Sequence, residues 1–445
     1  MTDAGGDRRR PERHEGPWTE RVRFDNVPGD APFAYRPNEV LTMGGDDALS
    51  VVSGLYPGAE VRGEVDRFLH LVDVPEPVEL VHELRLHGHV AHPNHVFFAH
   101  GNGCGCCPPH PSTPCGEGAS PMYGSPMYGH AAVYGSPMYG SPMYGHPMYG
   151  HAPHSSTARP APADAPVAAI LGEVDMPQAL GSATVIVLDT GLAEGPFRPL
   201  AVEDSTTIRA ASTLDGDQPD ENGDDRLDPA AGHGTFIAGL VDQVAPGCDV
   251  TVHRVLSTFG DGDEAGIVHC LNSLEIDDPF HTIVNLSLGG YVLEHPYALA
   301  RAVRLLQASG VVVVSSAGND ATCAPTYPAA LPGVVGVGAI GPDGPAPFTN
   351  YGPWVRACAP GVDLLSCFFT NFNGIGGIGA DGSDPDQFEG WALWSGTSFS
   401  APVVVGALAR MMRAAGCTGR EAVARIIDAP ALMRIPNLGT VVNVI

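Results

Sequence analysis

The sequence predicts an α/β protein built around a parallel sheet that is flanked by helices. Between residues 167 and 445, apolar segments recur as near-continuous runs rich in β-branched residues, such as ATVIVLD and GVVVVSSAGN. Helical segments and glycine-rich turns alternate with these runs. Strands of a parallel sheet are covered on both faces, so they are apolar throughout, and the connecting helices provide the cover.

The N-terminal part of the chain predicts a second, smaller α+β unit. Residues 34–100 contain four short strand-like runs and two helical segments in the order β-α-β-β-α-β, which is typical of the ferredoxin-like arrangement. We therefore divide the chain into a disordered tail over 1–33, this small domain over 34–100, a linker over 101–168 and the large α/β domain over 169–445.

The predicted linker lacks the composition of a folded core. Its charged side chains are Glu117, Arg159 and Asp164, and Pro, Gly, His and Ser are abundant. Because such a stretch cannot bury an apolar core, we expect it to connect the two domains without a fold of its own.

Composition and charge exclude several classes of function. Lys and Arg total 23 against 50 Asp and Glu, which gives a formal net charge of -27 and opposes binding to nucleic acid or to an anionic membrane surface. No apolar run has the length of a transmembrane helix. The first 20 residues are charged throughout and contain no apolar signal segment, so the expected location is the cytoplasm.

The ten cysteines fall into two groups. Six are scattered through the C-terminal half and are expected to be reduced, buried thiols, with a disulfide between Cys323 and Cys358 as the alternative. The other four lie in the linker near His100 and His110, and their spacing matches no common zinc knuckle, so free or disulfide-bonded thiols are favoured over zinc. These four residues are Cys104, Cys106, Cys107 and Cys115.

Three short motifs carry the residue types that nucleophilic catalysis needs. An apolar run ends in Asp189, which places a carboxylate at the carboxyl edge of a strand, where open α/β sheets build their sites. His233 lies between two glycines at the start of an amphipathic segment, and an imidazole titrates near neutrality, as a general base must. Ser398 follows small residues at a predicted helix N-terminus, whose N–H groups stabilise negative charge. A helix cap or turn former is the alternative for Asp189 alone, and a helix-capping histidine is the alternative for His233.

Together with the segment Ser316-Ala317-Gly318-Asn319, these motifs resemble those of the subtilisin-like serine proteases, or subtilases. The order Asp, His, Ser along the chain is the order of that family. The resemblance covers roughly residues 180–425 and includes NLSLGG, TYPAALPGVVGVGAI and FTNYGPWVRACAPGVDLLS. Histidine at 233 and asparagine at 319 separate the chain from the sedolisin branch, which has glutamate and aspartate there.

The resemblance implies a serine endopeptidase that needs no cofactor for catalysis. Asp189 would orient the imidazole of His233, which would take the proton of Ser398 and later give it to the leaving amine. Asn319 would donate a side-chain N–H to the oxyanion, alongside the backbone N–H of Ser398. The expected substrate is a peptide or a protein.

The same resemblance implies a pocket for the substrate residue that precedes the scissile bond. A threonine at its base shortens the pocket, so medium apolar residues such as Met, Leu or Ala are expected there. One wall is formed by Ser287, Leu288 and Gly289, the other by Ala317 and Gly318, and the base by Thr326.

The N-terminal domain resembles the propeptides of subtilases. It contains Pro93-Asn94-His95-Val96, which is close to the Pro-Asn-x-Val that closes many such domains. In the family these domains template folding and then occupy the substrate cleft as inhibitors. The linker over 101–168 departs from the short connection of the family pattern, and this argues against inhibition by the domain's own tail.

Residues 215–228 form an acidic segment just before His233. It has seven carboxylates and one arginine. A solvated loop is the favoured interpretation, and a structural calcium site and a selector for basic substrates are the alternatives.

A tandem repeat occupies the middle of the linker. Pro-Met-Tyr-Gly occurs five times, and Ala-Val-Tyr-Gly is a sixth, degenerate copy. A flexible spacer is the favoured interpretation. The Met-Tyr-Gly unit also resembles the motif modified by the radical SAM enzymes called spliceases, which excise the tyramine part of tyrosine, so such an enzyme is an implied partner. The candidate modified residues are Met122, Tyr123, Met127, Tyr128, Val133, Tyr134, Met138, Tyr139, Met143, Tyr144, Met148 and Tyr149.

The sequence as a whole therefore predicts a cytoplasmic serine endopeptidase with a propeptide-like domain and a repeat-bearing linker. The alternative is a carrier or binding protein in which the protease fold is idle and the repeats carry the function. An intact set of Asp189, His233, Ser398 and Asn319 favours the enzyme.

Overall fold

The structure is a computed structural model that describes residues of the N-terminal domain and of the large domain. None of the helices in the described ranges is long and apolar enough to cross a membrane. The described residues are 21–25, 33–65, 67–99, 158–161, 180–374 and 387–442.

The N-terminal domain is an antiparallel sheet with two helices packed against it. Its strands are ordered β5-β2-β4-β3, and the chain order β-α-β-β-α-β is the one that the sequence predicts. Val40, Leu71, Leu80 and Leu84 fill the core between sheet and helices with no exposed surface or almost none. The elements are β1 (Arg23–Asp25), β2 (Phe33–Met43), α1 (Gly45–Leu55), β3 (Glu60–Val65), β4 (Phe68–Val72), α2 (Pro77–Leu86) and β5 (Val90–Ala99).

Part of the predicted disordered tail over 1–33 is a strand. Strand β1 pairs with the start of β2 in antiparallel register, with Phe24 opposite Ala34. Phe24 stacks on Phe98, and Val22 is buried in a cluster with the same ring. Val22 and Phe24 therefore have partners that only the folded chain provides.

The large domain follows the elements that its apolar runs predict. Two short 3-10 turns, Gly195–Phe197 and Pro279–His281, occur among them. Its regular elements, with β6 (Arg159–Pro160) preceding them, are β7 (Thr184–Asp189), β8 (Leu192–Ala193), α3 (Leu200–Glu203), β9 (Ile208–Ala210), β10 (Gly216–Asp217), α4 (His233–Val244), β11 (Asp249–Arg254), β12 (Asp261–Asp263), α5 (Glu264–Ser273), β13 (Thr282–Leu286), β14 (Leu288–Gly289), α6 (Tyr297–Ser309), β15 (Val312–Ser316), β16 (Val335–Gly341), β17 (Gly344–Pro345), β18 (Val355–Pro360), β19 (Leu364–Cys367), β20 (Phe372–Asn373), β21 (Gln387–Phe388), β22 (Trp391–Trp394), α7 (Thr397–Ala415), α8 (Gly419–Ile426), β23 (Arg434–Ile435) and β24 (Gly439–Val441).

The central sheet of this domain confirms the predicted α/β fold class. Its strands run in the order β24-β18-β16-β15-β13-β7-β11-β9, and each neighbouring pair in this order is parallel. Along β7, Val185 and Val187 pack into one apolar cluster, which includes α4 and α7. Ile186 and Leu188 pack into a second cluster with α5 and α6. Both faces of the strand are buried, which explains its unbroken apolar sequence.

A short piece of the predicted linker packs on the large domain. Strand β6 pairs with β22 in antiparallel register, with Arg159 opposite Leu393. The Arg159 guanidinium also lies 3.0 Å from the carboxylate of Asp363. The four linker cysteines and all the repeat residues lie outside the described residues.

The cysteines of the large domain are free thiols with one exception. Cys358 is a free, fully buried thiol in β18, so the alternative disulfide between Cys323 and Cys358 is wrong. Cys323 is disulfide-bonded. Burial raises the pKa of Cys248, Cys270, Cys358 and Cys367 to about 12, so these thiols stay protonated near neutral pH. Cys417 is also free and buried.

Candidate active site

The carboxyl ends of three adjacent strands form the floor of the site. Asp189 is the last residue of β7, Ser287 follows β13, and Ala317 follows β15. These strands are neighbours in the parallel sheet, in the order β15-β13-β7. Parallel strands end at a common edge, so residues far apart in sequence come together there.

Asp189 and His233 form a buried hydrogen-bonded pair. His233 Nδ1 lies 2.7 Å from Asp189 Oδ1, and neither residue has exposed surface. The same carboxylate oxygen accepts the backbone N–H of Thr190 at 2.8 Å. With the carboxylate as acceptor, the proton of the neutral imidazole is on Nδ1, which leaves the Nε2 lone pair available as a base.

Glycine at 232 lets helix α4 begin against the site. Gly232 has φ of 80°, in the left-handed region that favours glycine. A Cβ atom at this position would lie 2.2 Å from the Phe368 ring. The motif around His233 therefore contains a glycine because the backbone passes close to packed side chains in a conformation that other residues rarely adopt.

Ser398 is the second residue of helix α7 and is fully buried. Its hydroxyl donates to the Ser287 carbonyl at 3.2 Å, while the Ser287 hydroxyl donates to the Ser398 carbonyl at 2.8 Å. The next side chain, Phe399, contacts the His233 ring with centroids 5.1 Å apart. His233 Nε2 has no hydrogen-bond partner among the described residues. Catalytic hydrogen bonds are often long or misaligned before substrate binds, so this geometry is consistent with an idle base.

Asn319 is held directly next to the helix that carries Ser398. Its side-chain oxygen accepts the backbone N–H of Thr397 at 2.9 Å. The Thr397 hydroxyl in turn accepts the N–H of Gly318 at 3.0 Å. Fixing the carboxamide through its oxygen leaves its NH₂ group as the donor of the side chain, which is the group that an oxyanion needs.

The six predicted pocket residues lie close together. The Thr326 hydroxyl donates to the Ala317 carbonyl at 2.6 Å, and a Cβ built on Gly318 would lie 3.5 Å from Thr326 Cγ2. Strand β14, which contains Leu288 and Gly289, is continued by a bridge between Gly290 and Tyr327. The predicted walls and base are therefore adjacent.

The tail of the N-terminal domain lies in the cleft that these residues border. Strand β5 is antiparallel to β12 on one side and to β14 on the other, with Ala99 opposite Leu288. The N–H of Ala99 donates to the Gly260 carbonyl at 2.8 Å. Phe97 is fully buried in the apolar cluster of the large domain. The long linker does not prevent this placement, because β5 ends at Ala99, before the linker begins.

A buried cluster of two imidazoles and a carboxylate joins the domains. His95 Nδ1 lies 2.7 Å and His92 Nδ1 3.3 Å from Glu264 Oε2, and none of the three side chains is exposed. Glu264 Oε1 accepts the N–H of Leu299 at 3.0 Å. Sequence analysis missed this cluster, because nothing in the sequence relates the end of one domain to the start of α5 in the other.

The protons of this cluster can be assigned from its neighbours. His95 Nε2 accepts the Leu293 N–H at 3.2 Å, so its own proton is on Nδ1 and is donated to Glu264. Among the described His, Cys, Asp and Glu residues, these three form a group whose potential ligand atoms lie within 4.8 Å of one another, close enough to hold an ion. A metal on Nδ1 would move the His95 proton to Nε2, where it would face the Leu293 N–H. The arrangement therefore fits a hydrogen-bonded cluster better than a metal centre.

Asp217 is a second buried carboxylate that sequence analysis counted only as part of the acidic segment. Its Oδ2 accepts the Thr190 hydroxyl at 2.7 Å and the Gly232 N–H at 2.8 Å. The Thr190 hydroxyl also accepts the N–H of Gly234 at 3.0 Å. Burial raises the pKa of Asp217 to about 8. The residue thus connects the neighbours of Asp189 and His233, and its lack of a motif is the reason that sequence alone does not single it out.

The rest of the acidic segment forms a loop whose carboxylates bind its own backbone. Asp220 accepts the N–H groups of Gly223, Asp224 and Asp225. Asp228 is buried, which raises its pKa to about 6, and it accepts the Thr258 hydroxyl at 2.7 Å. The predicted solvated loop therefore describes the exposed residues of the segment but not the buried Asp228.

Comparison with known proteins identifies the family. The sequence profile of the subtilase family (Peptidase_S8) matches residues 181–431, which is more than half of the chain. This chain belongs to the subtilase family.

Several named proteases are similar to the same part of the chain. The thermostable alkaline protease of Halalkalibacterium halodurans is 30% identical over 199 residues, which cover 42% of this chain and 50% of that protein. The thermophilic serine proteinase of a Bacillus species is 31% identical over 195 residues, 41% of this chain and 43% of that protein. A crystal structure of a cold adapted subtilisin-like serine proteinase aligns with a TM-score of 0.44 and 25% identity, over 60% of this chain and 89% of that one. The chain thus spans about half the length of the first two relatives.

Acid is predicted to weaken the contact between the two domains. In the docked state, burial lowers the pKa of His92 to about 4 and of His95 to about 3. An exposed imidazole has a pKa of about 6.5, so the undocked state binds more protons as the pH falls below that value. Docking is therefore fully favoured above about pH 6.5 and loses about 2 kcal/mol per imidazole at pH 5. Burial raises the pKa of Glu264 in the docked state, so protonation of this carboxyl favours docking. It opposes the loss from the two imidazoles.

Hydrogen–deuterium exchange of the β5 amides between pH 7 and pH 5 measures this effect in the full chain. We expect protection of residues 96–99 to fall with pH after correction for intrinsic rates. The His92→Asn, His95→Gln double variant is the control and should show a much flatter pH dependence. Equal protection of the unsubstituted chain at both pH values would contradict the prediction.

Proposed function

We propose that this chain is a serine endopeptidase in which Ser398 forms an acyl-enzyme. The observation that carries the proposal is the buried pair of His233 and Asp189, 2.7 Å apart, whose imidazole contacts Phe399, the residue next to Ser398. A strand of the chain's own N-terminal domain pairs with both edges of the adjacent cleft, as an extended peptide substrate would. Subtilase membership supports the same activity.

The proposed reaction follows from the hydrogen-bond capacities of these side chains. Ser398 Oγ turns from the Ser287 carbonyl and gives its proton to His233 Nε2 as the oxygen attacks the peptide carbonyl. The imidazolium is stabilised by Asp189 through Nδ1, and it protonates the leaving amine when the C–N bond breaks. Water deprotonated by the same imidazole then hydrolyses the ester and regenerates the serine.

The oxyanion formed in each step is proposed to bind at the start of helix α7. Its donors are the NH₂ group of Asn319 and the backbone N–H of Ser398. The Ser398 N–H lies in the first turn of the helix, where the helix dipole favours negative charge. No metal or cofactor takes part in these steps.

Substitution of the nucleophile and of the oxyanion donor tests the mechanism. Ser398→Ala should abolish peptide hydrolysis, and Asn319→Ala should lower kcat with little change in KM, because the oxyanion contact strengthens in the transition state. The expected loss for Asn319→Ala is about 100- to 1000-fold, a magnitude taken from the corresponding loss in subtilisin rather than derived from this chain. Undiminished turnover by Ser398→Ala would contradict the assignment.

The competing function is a carrier or binding protein whose protease fold is idle. Labelling with a fluorophosphonate separates the two, since only an activated serine reacts. Labelling that is lost in Ser398→Ala supports the enzyme, whereas no labelling of the full chain after release of the N-terminal domain supports the carrier.

The N-terminal domain is proposed to act as a folding template and as an inhibitor of the cleft. The position of β5 between β12 and β14, the two strands that border the cleft, supports inhibition. Strand β5 can pair with β12 and β14 only when those two strands are folded. Binding of the N-terminal domain therefore stabilises their folded form.

Removal of the domain tests both roles. A chain that begins near Ala165 should fold slowly or in low yield, and a separate chain of residues 1–100 should first rescue folding and then inhibit hydrolysis. Inhibition should be competitive, because β5 occupies the position of a substrate. Equal folding and activity with and without residues 1–100 would instead make the domain a recruitment module.

The proposed enzyme prefers medium apolar residues immediately before the scissile bond. The base of the pocket is Thr326, whose hydroxyl is turned to Ala317, and this supports a short apolar pocket for Met, Leu or Ala. Methionine, one of these residues, also precedes Tyr-Gly in the five Pro-Met-Tyr-Gly repeats, as at Met122.

The linker repeats are proposed to be a modified, regulatory segment. Excision of tyramine by a splicease would leave a ketone derived from the methionine, and an α-ketoamide is an electrophile that a serine attacks reversibly. A tethered ketoamide would reach Ser398 at high effective concentration and place its hemiketal oxygen in the oxyanion site. The similarity of the repeat to splicease motifs supports this role, and a flexible spacer is the alternative.

Intact mass of the protein from its native host tests the modification. Each converted repeat should be lighter by one tyramine unit. Recovery of every repeat peptide with its tyrosine, including Tyr123 and Tyr149, would leave only the spacer interpretation.

A further inference from the structure

The edge of the cleft already binds a guanidinium group. Arg36 of the N-terminal domain donates through Nη1 to Asp261 Oδ2 at 2.7 Å and through Nε to Asp263 Oδ2 at 3.1 Å. Arg21 adds a second cation 3.7 Å from the other oxygen of Asp261. The Asp261 side chain is 1% exposed, and its other hydrogen-bond donor is the Ser257 hydroxyl, so the charge-compensating groups are these two arginines.

Strand geometry places both carboxylates on the outer face of the strand in the cleft. Asp261 is opposite Phe98 and Asp263 is opposite Val96 in the antiparallel register of β12 and β5. Directly opposed residues of an antiparallel pair point to the same face, and their Cβ atoms are about 5 Å apart. Phe97 between them points to the opposite face, into the apolar cluster of the large domain.

The N-terminal domain covers this outer face from a neighbouring strand. Ala34 packs in one cluster with Val96 and Phe98. Because side chains alternate along β2, Arg36 lies on the same face as Ala34, above the two aspartates. The strand inside the cleft thus carries apolar residues opposite the acids, and the compensating charge comes from the strand beside it.

A substrate in the register of β5 would meet the same two carboxylates. Ala99 is opposite Leu288, so the next residue of a substrate would lie opposite Ser287, which hydrogen-bonds to Ser398. The proposed register therefore assigns the scissile carbonyl to that residue. Counting that residue as the first, the third residue back lies opposite Asp261 and the fifth lies opposite Asp263. When the N-terminal domain leaves the cleft, both carboxylates lose Arg36, and Asp261 also loses Arg21.

We propose that Asp261 and Asp263 select peptide substrates with Lys or Arg at the third and fifth positions before the scissile bond. The inference rests on the proposed endopeptidase activity and names its substrate class. Basic side chains at these positions replace the lost guanidinium and form charge-assisted hydrogen bonds with the two acids. The second and fourth positions face the large domain, as Ala99 and Phe97 do, and so remain apolar.

Competition between two peptides in one reaction with the full chain tests this selection. One peptide carries Lys at the third and fifth positions, and the other carries Gln there and the same two Lys residues beyond the seventh. The ratio of kcat/KM is independent of how much of the cleft the N-terminal domain occupies, and equal peptide charge removes the general attraction of a chain with net charge -27. We expect about fivefold faster cleavage for each basic residue in place, reduced by 0.5 M salt.

Variants separate the two acids from general electrostatics. Asp263→Asn should remove the preference at the fifth position alone, and Asp261→Lys should reverse the preference at the third position towards Glu. Asp343→Asn, at an exposed aspartate remote in sequence from the cleft strands, removes the same charge and should leave both ratios unchanged.

The outcomes distinguish the inference from the function on which it rests. Hydrolysis of both peptides at equal rates, or a preference that persists in the Asp261→Asn, Asp263→Asn double variant, overturns the inference and leaves the endopeptidase standing. Absence of hydrolysis together with absence of fluorophosphonate labelling overturns the endopeptidase and the inference with it.

Discussion

The main-chain pairing of β5 with β12 and β14 is the interaction on which the state of this molecule depends. A strand of one domain fills the gap between two strands of the other, so the backbone N–H and C=O groups that border the cleft are paired rather than exposed. This pairing is independent of side chains. It fixes the register in which every side chain of residues 96–99 meets the large domain.

Three acids at the domain boundary each have a partner in the N-terminal domain. Asp261 and Asp263 are paired with Arg36, and Glu264 accepts a hydrogen bond from His95 Nδ1. These three acids are neighbours along the chain, at β12 and the start of α5. Burying them costs less because the N-terminal domain brings these partners, and loss of that domain removes them.

Sequence was sufficient for the features that repeat or that form compact motifs. Unbroken apolar runs predicted the parallel sheet, and the small domain was predicted from its element order. Asp189, His233 and Ser398 were singled out because each follows a local signal, a strand end or a glycine turn. Their assignment as the triad remains a prediction from the family pattern, which the buried pair of Asp189 and His233 supports.

Features that depend on distant contacts could not be predicted. Asp217 lies among exposed acids in the sequence, and only the fold shows that it is buried between Thr190 and Gly232. Strand β1 looked like tail because the partner of its Phe24 ring is Phe98, 74 residues away. In each case the missing information is a pairing between segments that carry no shared pattern.

For the proposed role of the N-terminal domain as an inhibitor, the position of Arg36 has a consequence for resistance to cleavage. A peptide that supplied its own basic residues at positions 96 and 98 would bind the acids as a good substrate does, and tight binding would go together with correct presentation of its carbonyl to Ser398. In this chain, β2 supplies the arginine that binds the two acids, while β5 is the strand that lies in the cleft. The domain can therefore gain binding energy at the rim through β2 while the sequence of β5 remains that of a poor substrate.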